Sequence, residues 1–315
     1  MAGTFPSPML APNQSPDLEQ IAFPTYASFK LDGIRLIFWG GKIYSRNGKE
    51  IHGCTANWLE PLAKEAHAKN VVLDGELYCP GMEFNKIVSA SADGDRVKSL
   101  KFYCFDAVSA DDWGKKVSTP FSDRIVRYKQ YCMDSAVKHL IEPVEQVLFS
   151  SVENIDALLG DAKKAGTEGL ILKHPNSLYK HGRATPKENT VWKVKFWATV
   201  NAVITGYKQQ KTLTAEAKAI TKRNAIGAID RGHSKDNYEL MDEIGSIELT
   251  INEGQVFPKG TITYAGFGKG VDNPITWENR HEFIGKHVEL AYQETGVVDK
   301  PRFPKIVRFR DDLNS

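Results

Sequence analysis

Apolar and polar positions alternate differently in two parts of this chain, and the change falls near residue 197. In the first part the apolar, β-branched and aromatic run Ile34–Trp39 predicts a strand. Gly40-Gly41 turns the chain into a second strand at residues 42–46, and Asn47-Gly48 is a hairpin turn signal. Thr55 is placed to cap a helix over residues 56–68. Residues 71–79 and 101–108 read as strands. Ser122 opens a helix to about residue 132, and another runs from Asn154 to Ala165-Gly166. Strand character returns at residues 169–173 and 191–196. Residues 1–25, rich in Pro and Ser, predict an extended lead-in rather than part of a domain.

Beyond Trp197 the β-like runs are short: residues 200–207, 244–251, 261–264, 287–292 and 305–309. Five short strands with Gly-rich turns suit a small barrel such as an OB-fold. Between the first two runs lies a polar, lysine-rich insert over residues 208–243, longer than an ordinary hairpin loop. The expectation is an α+β domain of antiparallel sheets and helices over residues 1–197, then an OB-fold β-barrel over residues 198–315 carrying that insert.

Composition narrows the function classes. Of 315 residues, 41% are hydrophobic and 25% charged, ordinary globular values that allow a full core. No apolar run approaches the roughly 18 residues of a membrane span, and no export or organelle signal is readable. The four cysteines form no CxxC pair, which points to reduced thiols and a cytoplasmic setting, and away from a zinc ribbon or a secreted disulfide frame. Net charge is only +2, but residues 179–223 hold ten basic and two acidic residues. So local an excess is the footprint of a phosphate-backbone binder, although a solvated lysine-rich face has the same composition.

The candidate chemistry begins at Lys30-Leu31-Asp32-Gly33-Ile34-Arg35. A lysine becomes a nucleophile where its surroundings favour the neutral amine, which the Arg35 cation or a bound metal would supply. Alone, this motif is better explained by a charged turn before a strand. Further motifs follow in order. Ser45-Arg46-Asn47-Gly48 sets an arginine at a turn, and Leu73-Asp74-Gly75-Glu76-Leu77 sets two carboxylates inside a strand, where charge is costly unless paired. Phe102-Tyr103-Cys104-Phe105-Asp106 offers an aromatic beside a carboxylate. Glu168-Gly169-Leu170-Ile171-Leu172-Lys173 and Trp192-Lys193-Val194-Lys195 close the domain. The i, i+2 spacing sends Lys193 and Lys195 to one strand face, where two ammonium groups need an anion such as a polyphosphate.

In this order and spacing the motifs resemble those of the covalent nucleotidyltransferases, and among them the ATP-dependent DNA ligases of compact viral or bacterial type. The resemblance runs from Lys30 to Asp312. It implies an N-terminal adenylyltransferase domain that seals 5′-phosphate/3′-hydroxyl nicks in duplex DNA, using ATP and Mg²⁺, during replication and repair. It implies Lys30 as the residue that carries AMP, Arg35 and Glu76 as ribose contacts, Phe105 as the adenine platform and Arg46 as a phosphate contact. Lys193 and Lys195 would clamp the α-phosphate, and Asp32 would orient the 3′-hydroxyl of the nick. Glu168 would help hold the metal, with Asp74 and Glu76 near it. The C-terminal run from Lys300 to Asp312 resembles the end of the family's barrel domain, where an arginine and a lysine position the leaving pyrophosphate; Arg310 matches, Leu313 stands where the lysine is expected, and the role would fall to Arg308, Arg310 or another lysine.

Only 29 residues precede Lys30, which leaves no room for a helical DNA-binding or nicotinamide-recognition domain and favours ATP over NAD. The basic stretch is then the expected grip on the DNA backbone, sequence-tolerant and salt-sensitive. No obligate protein partner is implied, and a monomer hinged at residues 197–199 is the family expectation. The rival readings are an RNA ligase, a GTP-dependent mRNA guanylyltransferase, or a degenerate nick-binding protein; the last has no use for Lys30 together with Lys193 and Lys195.

Overall fold

The computed structural model describes residues 5–13, 16–220, 222–223, 229–230, 237–252, 256–294 and 299–313. The side chains of residues 218–236, and so those of Lys218, Lys222 and Arg223 in the basic stretch, lie outside the described residues. The chain forms two compact units that divide between Lys195 and Phe196.

The first unit runs β1 (Met9–Leu10), β2 (Thr25–Phe29), β3 (Ile34–Trp39), β4 (Lys42–Ser45), α1 (Cys54–Ala68), β5 (Val71–Tyr78), α2 (Phe84–Ser91), β6 (Lys101–Ser109), α3 (Phe121–Asp134), β7 (Ile141–Pro143), β8 (Val147–Phe149), α4 (Val152–Lys164), β9 (Gly169–Lys173), β10 (Gly182–Arg183) and β11 (Val191–Lys195). Two sheets carry it, ordered β4-β3-β5-β6-β7 and β11-β9-β2-β8. Alternation along the larger sheet decides its faces. Leu36, Phe38, Leu73, Leu77, Phe102 and Cys104 enter a core shared with Leu59 and Leu62 of α1 and Phe121 and Tyr128 of α3. Each such large apolar side chain stabilises the fold by roughly 1.5–3 kcal/mol. The register pairs Arg35 with Glu76 and Glu76 with Tyr103, so these polar side chains share the opposite face.

Residues 5–11 are more than a lead-in. β1 pairs in parallel with β10, Met9 is buried, and the Phe5 ring packs against Tyr44, Trp39 and Trp113 at 4.7, 5.9 and 5.9 Å between centroids. A strand of two residues has no periodicity to read. β2 also falls partly within the expected lead-in, and it is the strand that delivers Lys30.

The second unit contains β12 (Trp197–Leu213), α5 (Ala215–Ile220), the two-residue strands β13 (Lys222–Arg223) and β14 (Ile229–Asp230), β15 (Tyr238–Ile251), β16 (Thr261–Phe267), β17 (His287–Gln293) and β18 (Arg302–Phe309). Five of these strands follow one another as β12-β15-β16-β18-β17, with β17 returning to β12. Ala202, Ile204, Leu249, Val288, Leu290 and Ile306 fill the interior.

The expected fold is corrected in two respects. The first unit is not antiparallel throughout, because β1 with β10 and β6 with β7 run parallel. The second is not the expected OB-fold barrel of five short strands. β12 and β15 are 17 and 14 residues long and pair as far as Leu213 with Tyr238, while β16 meets β18 in parallel over only two residue pairs. The unit is therefore a β-sheet whose first two strands extend into a ribbon, joined along a short seam. Much of the ribbon is partly or fully exposed, so it carries little hydrophobic alternation, and from sequence its two arms read as a polar insert. Residues 197–199, expected to hinge, are paired with β17.

Candidate active site

Lys30 leaves the end of β2 and is tied by its own backbone. Its N–H donates to the Gly169 carbonyl at 2.8 Å, and its carbonyl accepts from Glu168 N–H at 3.0 Å. On the other side of β9, Gly169 pairs with Lys195. Lys30 and Lys195 thus flank the start of β9 from either side, with Glu168 immediately before it. Lys30 Nζ donates to Glu168 Oε2, and Lys195 Nζ donates to Oε1. Burial opposes the charge on Glu168, but the two lysines outweigh it and lower its carboxyl. Gly169 has φ +136°, and a Cβ there would lie 2.0 Å from the Val194 carbonyl, so only glycine lets β9 and β11 approach this closely.

Lys193, two residues before Lys195 on β11, is lowered to about 8 by burial and by Lys195, Arg183, Lys30 and Arg46. Desolvation, Arg35 and Arg183 lower Arg46 as well. These mutual effects show that the sheet ends and the Ser45–Gly48 turn bring several like charges together, an arrangement suited to a polyanion. The sequence placed Arg183 only within a general basic stretch. Here its Nη1 donates to the Ala11 carbonyl at 2.6 Å, which fixes it beside the cluster.

Across the polar face of the larger sheet, Arg35 donates Nε and Nη2 to Asp74 Oδ1 and Oδ2 at 2.9 and 2.7 Å. Burial opposes the Arg35 charge, yet Asp74 leaves the guanidinium raised. Arg35 also lies over the Phe105 ring, 5.1 Å from its centroid. Phe105 owes its aim to a β-bulge. The pairing passes from Asp74–Asp106 to Gly75–Cys104, so Phe105 is an extra residue with no partner in the ladder. Glu76 lies on the same face, and burial pushes its carboxyl up to about 7 even though Lys30 and Arg35 pull it down. Asp32 is partly buried and lies near Tyr78, whose phenol is raised first by burial and further by Cys79 and Asp32.

Of the carboxylates expected near a metal, Asp74 is 1% exposed and is engaged by protein donors, both arms of Arg35 and the Tyr179 hydroxyl at 2.6 Å. Among the described residues no group of three His, Cys, Asp or Glu could hold a metal ion. Glu76 and Glu168 remain as a neighbouring pair of carboxylates.

A second charge cluster went unread. Asp106 and Arg124 are both 0% exposed, joined by Nε–Oδ1 at 2.7 Å and Nη2–Oδ2 at 3.2 Å, and Lys173 Nζ reaches Oδ2 at 3.0 Å. Burial opposes the charge, but Arg124 and Lys173 hold the Asp106 carboxyl at about 2. The available signal was a carboxylate and a lysine ending apolar strand runs, each needing a counter-charge. Arg310, in the second unit, donates to Asp312 at 2.9 and 2.7 Å; Leu313 is 41% exposed.

Residues 8–195 match the family model described as ATP dependent DNA ligase domain. The chain belongs to the ATP-dependent DNA ligase family. Among curated relatives of this ligase-family chain, DNA ligase 2 of Methanosarcina mazei is 23% identical over 98% of the chain and 56% of its own length. The DNA ligase of Archaeoglobus fulgidus is 25% identical over 90% of the chain and 51% of its own. The chain thus spans about half the length of these curated relatives. Among solved structures, one titled Pmar-Lig_Pre. superposes with a TM-score of 0.71 at 21% identity, covering 98% of this chain and 68% of that one. A structure titled for Lig E DNA ligases, "DNA binding with a minimal scaffold", gives 0.64 at 21%, covering 96% and 99%. Likenesses at this identity speak for the ligase fold. No helix among the described residues is long and apolar enough to cross a membrane.

Proposed function

We propose that this chain is an ATP-dependent DNA ligase that seals 5′-phosphate/3′-hydroxyl nicks in duplex DNA through AMP carried on Lys30. The observation that supports it best is the meeting of Lys30 and Lys195 on the Glu168 carboxylate at the ends of β2, β11 and β9, with Lys193 and Arg46 close by. Lys30 Nζ attacks the α-phosphorus of ATP; the P–N bond forms as the bond to pyrophosphate breaks. Lys193 and Lys195 stabilise the charge that spreads over the phosphoryl oxygens. Phe105 and Arg35 seat the base and ribose, with Glu76 at the ribose hydroxyls. A 5′-phosphate then takes AMP from Lys30, and the 3′-hydroxyl, oriented by Asp32, displaces AMP to close the strand. Arg46 meets phosphate in each step.

Glu76 and Glu168 fit a magnesium ion, which commonly uses one or two carboxylates together with substrate phosphates. Such an ion would neutralise phosphate charge. Glu168 now holds Lys30 and Lys195, so loading the site exchanges those partners.

Intact mass after incubation with Mg²⁺ and ATP or GTP tests the reading on wild type and Lys30→Ala. The expected result is a gain of one AMP with ATP only, absent in the variant, and discharged onto nicked DNA. A GMP adduct would transfer the chain to capping chemistry. Discharge onto nicked RNA alone would make it an RNA ligase.

A further inference from the structure

Tyr179 belongs to none of the motifs assigned a role above, yet it joins the N-terminal strand to the polar face of the larger sheet. Its side chain is buried, with the residue 3% exposed. Its hydroxyl accepts from the Met9 N–H at 3.2 Å and donates to Asp74 Oδ2 at 2.6 Å. Asp74 receives both arms of Arg35, and Arg35 covers Phe105. We propose that Tyr179 is a positioning residue for the nucleotide site, fixing Arg35 through Asp74 and itself held by the backbone of β1.

The chain of contacts has a direction. A carboxylate gripped only by a two-armed guanidinium can swing with it as one unit. A third bond, from a donor that cannot move, sets the carboxylate plane and with it the plane of the guanidinium. Tyr179 is such a donor. Its ring packs against Trp113 at 5.7 Å and His181 at 5.6 Å, and the Arg124 guanidinium lies 5.6 Å from its centroid. His181 is fastened in turn: its Nε2 accepts from Gly114 N–H at 3.1 Å, and its Nδ1 lies 3.0 Å from the Ser7 carbonyl. Burial and the Asp74 charge push the phenol well above its ordinary range, so it remains a donor throughout the working pH range.

The packing alone does not need the hydroxyl. Tyr179 shares its cluster with Met9, Trp113, Val117 and Val191, and a phenylalanine ring would fill the same space. What the oxygen adds is the tie between Met9 and Asp74. The same strap reaches the site at a second point, where Phe5 lies against Gly48 in the Arg46 turn; a Cβ on Gly48 would come within 2.6 Å of the Phe5 ring. Residues 5–11 therefore back the arginines on both sides of the proposed nucleotide.

The inference rests on reading Arg35 and Phe105 as nucleotide contacts, and the test separates the two. Formation of the AMP adduct is followed by intact mass against ATP concentration for wild type, Tyr179→Phe, Asp74→Asn and the double variant, with a melting temperature for each. Tyr179→Phe is expected to raise the half-saturating ATP concentration about tenfold, the scale of one hydrogen bond to a charged group, with the saturating rate unchanged. Asp74→Asn should act in the same direction, and the double variant should be no worse than Asp74→Asn alone. A lowered melting temperature with unchanged half-saturation in Tyr179→Phe would overturn the proposal, as would full additivity. Should Tyr179→Phe not fold, wild-type half-saturation in Asp74→Asn would overturn it equally. Absence of any adduct in the wild type would remove the underlying reading, and the inference with it.

Discussion

Lys193 is the residue at which the electrostatics of the cluster become measurable. Burial and four neighbouring cations lower its amine to about 8. It is a cation below that pH and loses its charge above it, so attraction for phosphate fades as pH rises through 8. The half-saturating ATP concentration should therefore climb between pH 7.5 and 9.5, and Lys193→Arg should flatten the profile, because a guanidinium keeps its proton. Initial rates of AMP adduct formation across that range would show it; a wild-type profile as flat as the variant's would remove Lys193 from phosphate binding. Single residues were also what the sequence disclosed best. Lys193 and Lys195 stood out as charges in an apolar strand, Lys30 and Arg46 through the order of the motifs, and the structure brings the four together. Asp74 stood out, like the two strand lysines, as a charge in a strand, and its partners in the structure are Arg35 and Tyr179. A carboxylate paired across 39 residues with Arg35 and across 105 with Tyr179 leaves the same local pattern as one facing a ligand.

At the scale of elements, the legible parts were those with enough length to show a period. α1, β3, β5, β6, α3, α4 and β9 all follow patterned stretches, although α4 begins at Val152 with Ser151 as its cap. β1, β7 and β10 are two or three residues long, and their existence depends on partners far away in sequence. The bulge at Phe105 was equally hidden, since it appears only when β5 and β6 are placed side by side. The close crossing of β9 and β11 yields a prediction of its own. Gly169→Ala would force a methyl group to 2.0 Å from the Val194 carbonyl in a backbone conformation that disfavours side chains. Separating the strands should cost roughly 2–4 kcal/mol, by analogy with other strained or overpacked sites. Glu168 and Lys195 would move apart with the strands. Urea unfolding and adduct formation should both report the change; wild-type values in both would mean that the crossing is more yielding than it looks.

Across the whole molecule the basic side chains fall into two groups. The cluster proposed to bind nucleotide belongs to the first unit, whereas Lys208 and Lys211 lie along β12 in the ribbon, Lys208 stacked 3.5 Å from the Tyr264 ring centroid. If the ribbon grips duplex backbone, replacing residues 214–237 with a short turn should weaken nick binding about tenfold or more. It should also flatten the salt dependence by about one unit of slope for each phosphate that is no longer neutralised. Adduct formation on Lys30 should survive, as binding titrations beside intact mass would establish; equal loss of both would place the ribbon in the first step. The N-terminal strap matters for any use of the proposed ligase as a tool. Because Phe5–Ala11 engages the remainder through a short parallel pairing, side-chain packing and a few hydrogen bonds, it is separable in principle from the body it organises. A body expressed without those residues, and a synthetic peptide that supplies them, would make a two-component reagent whose sealing is switched on by mixing.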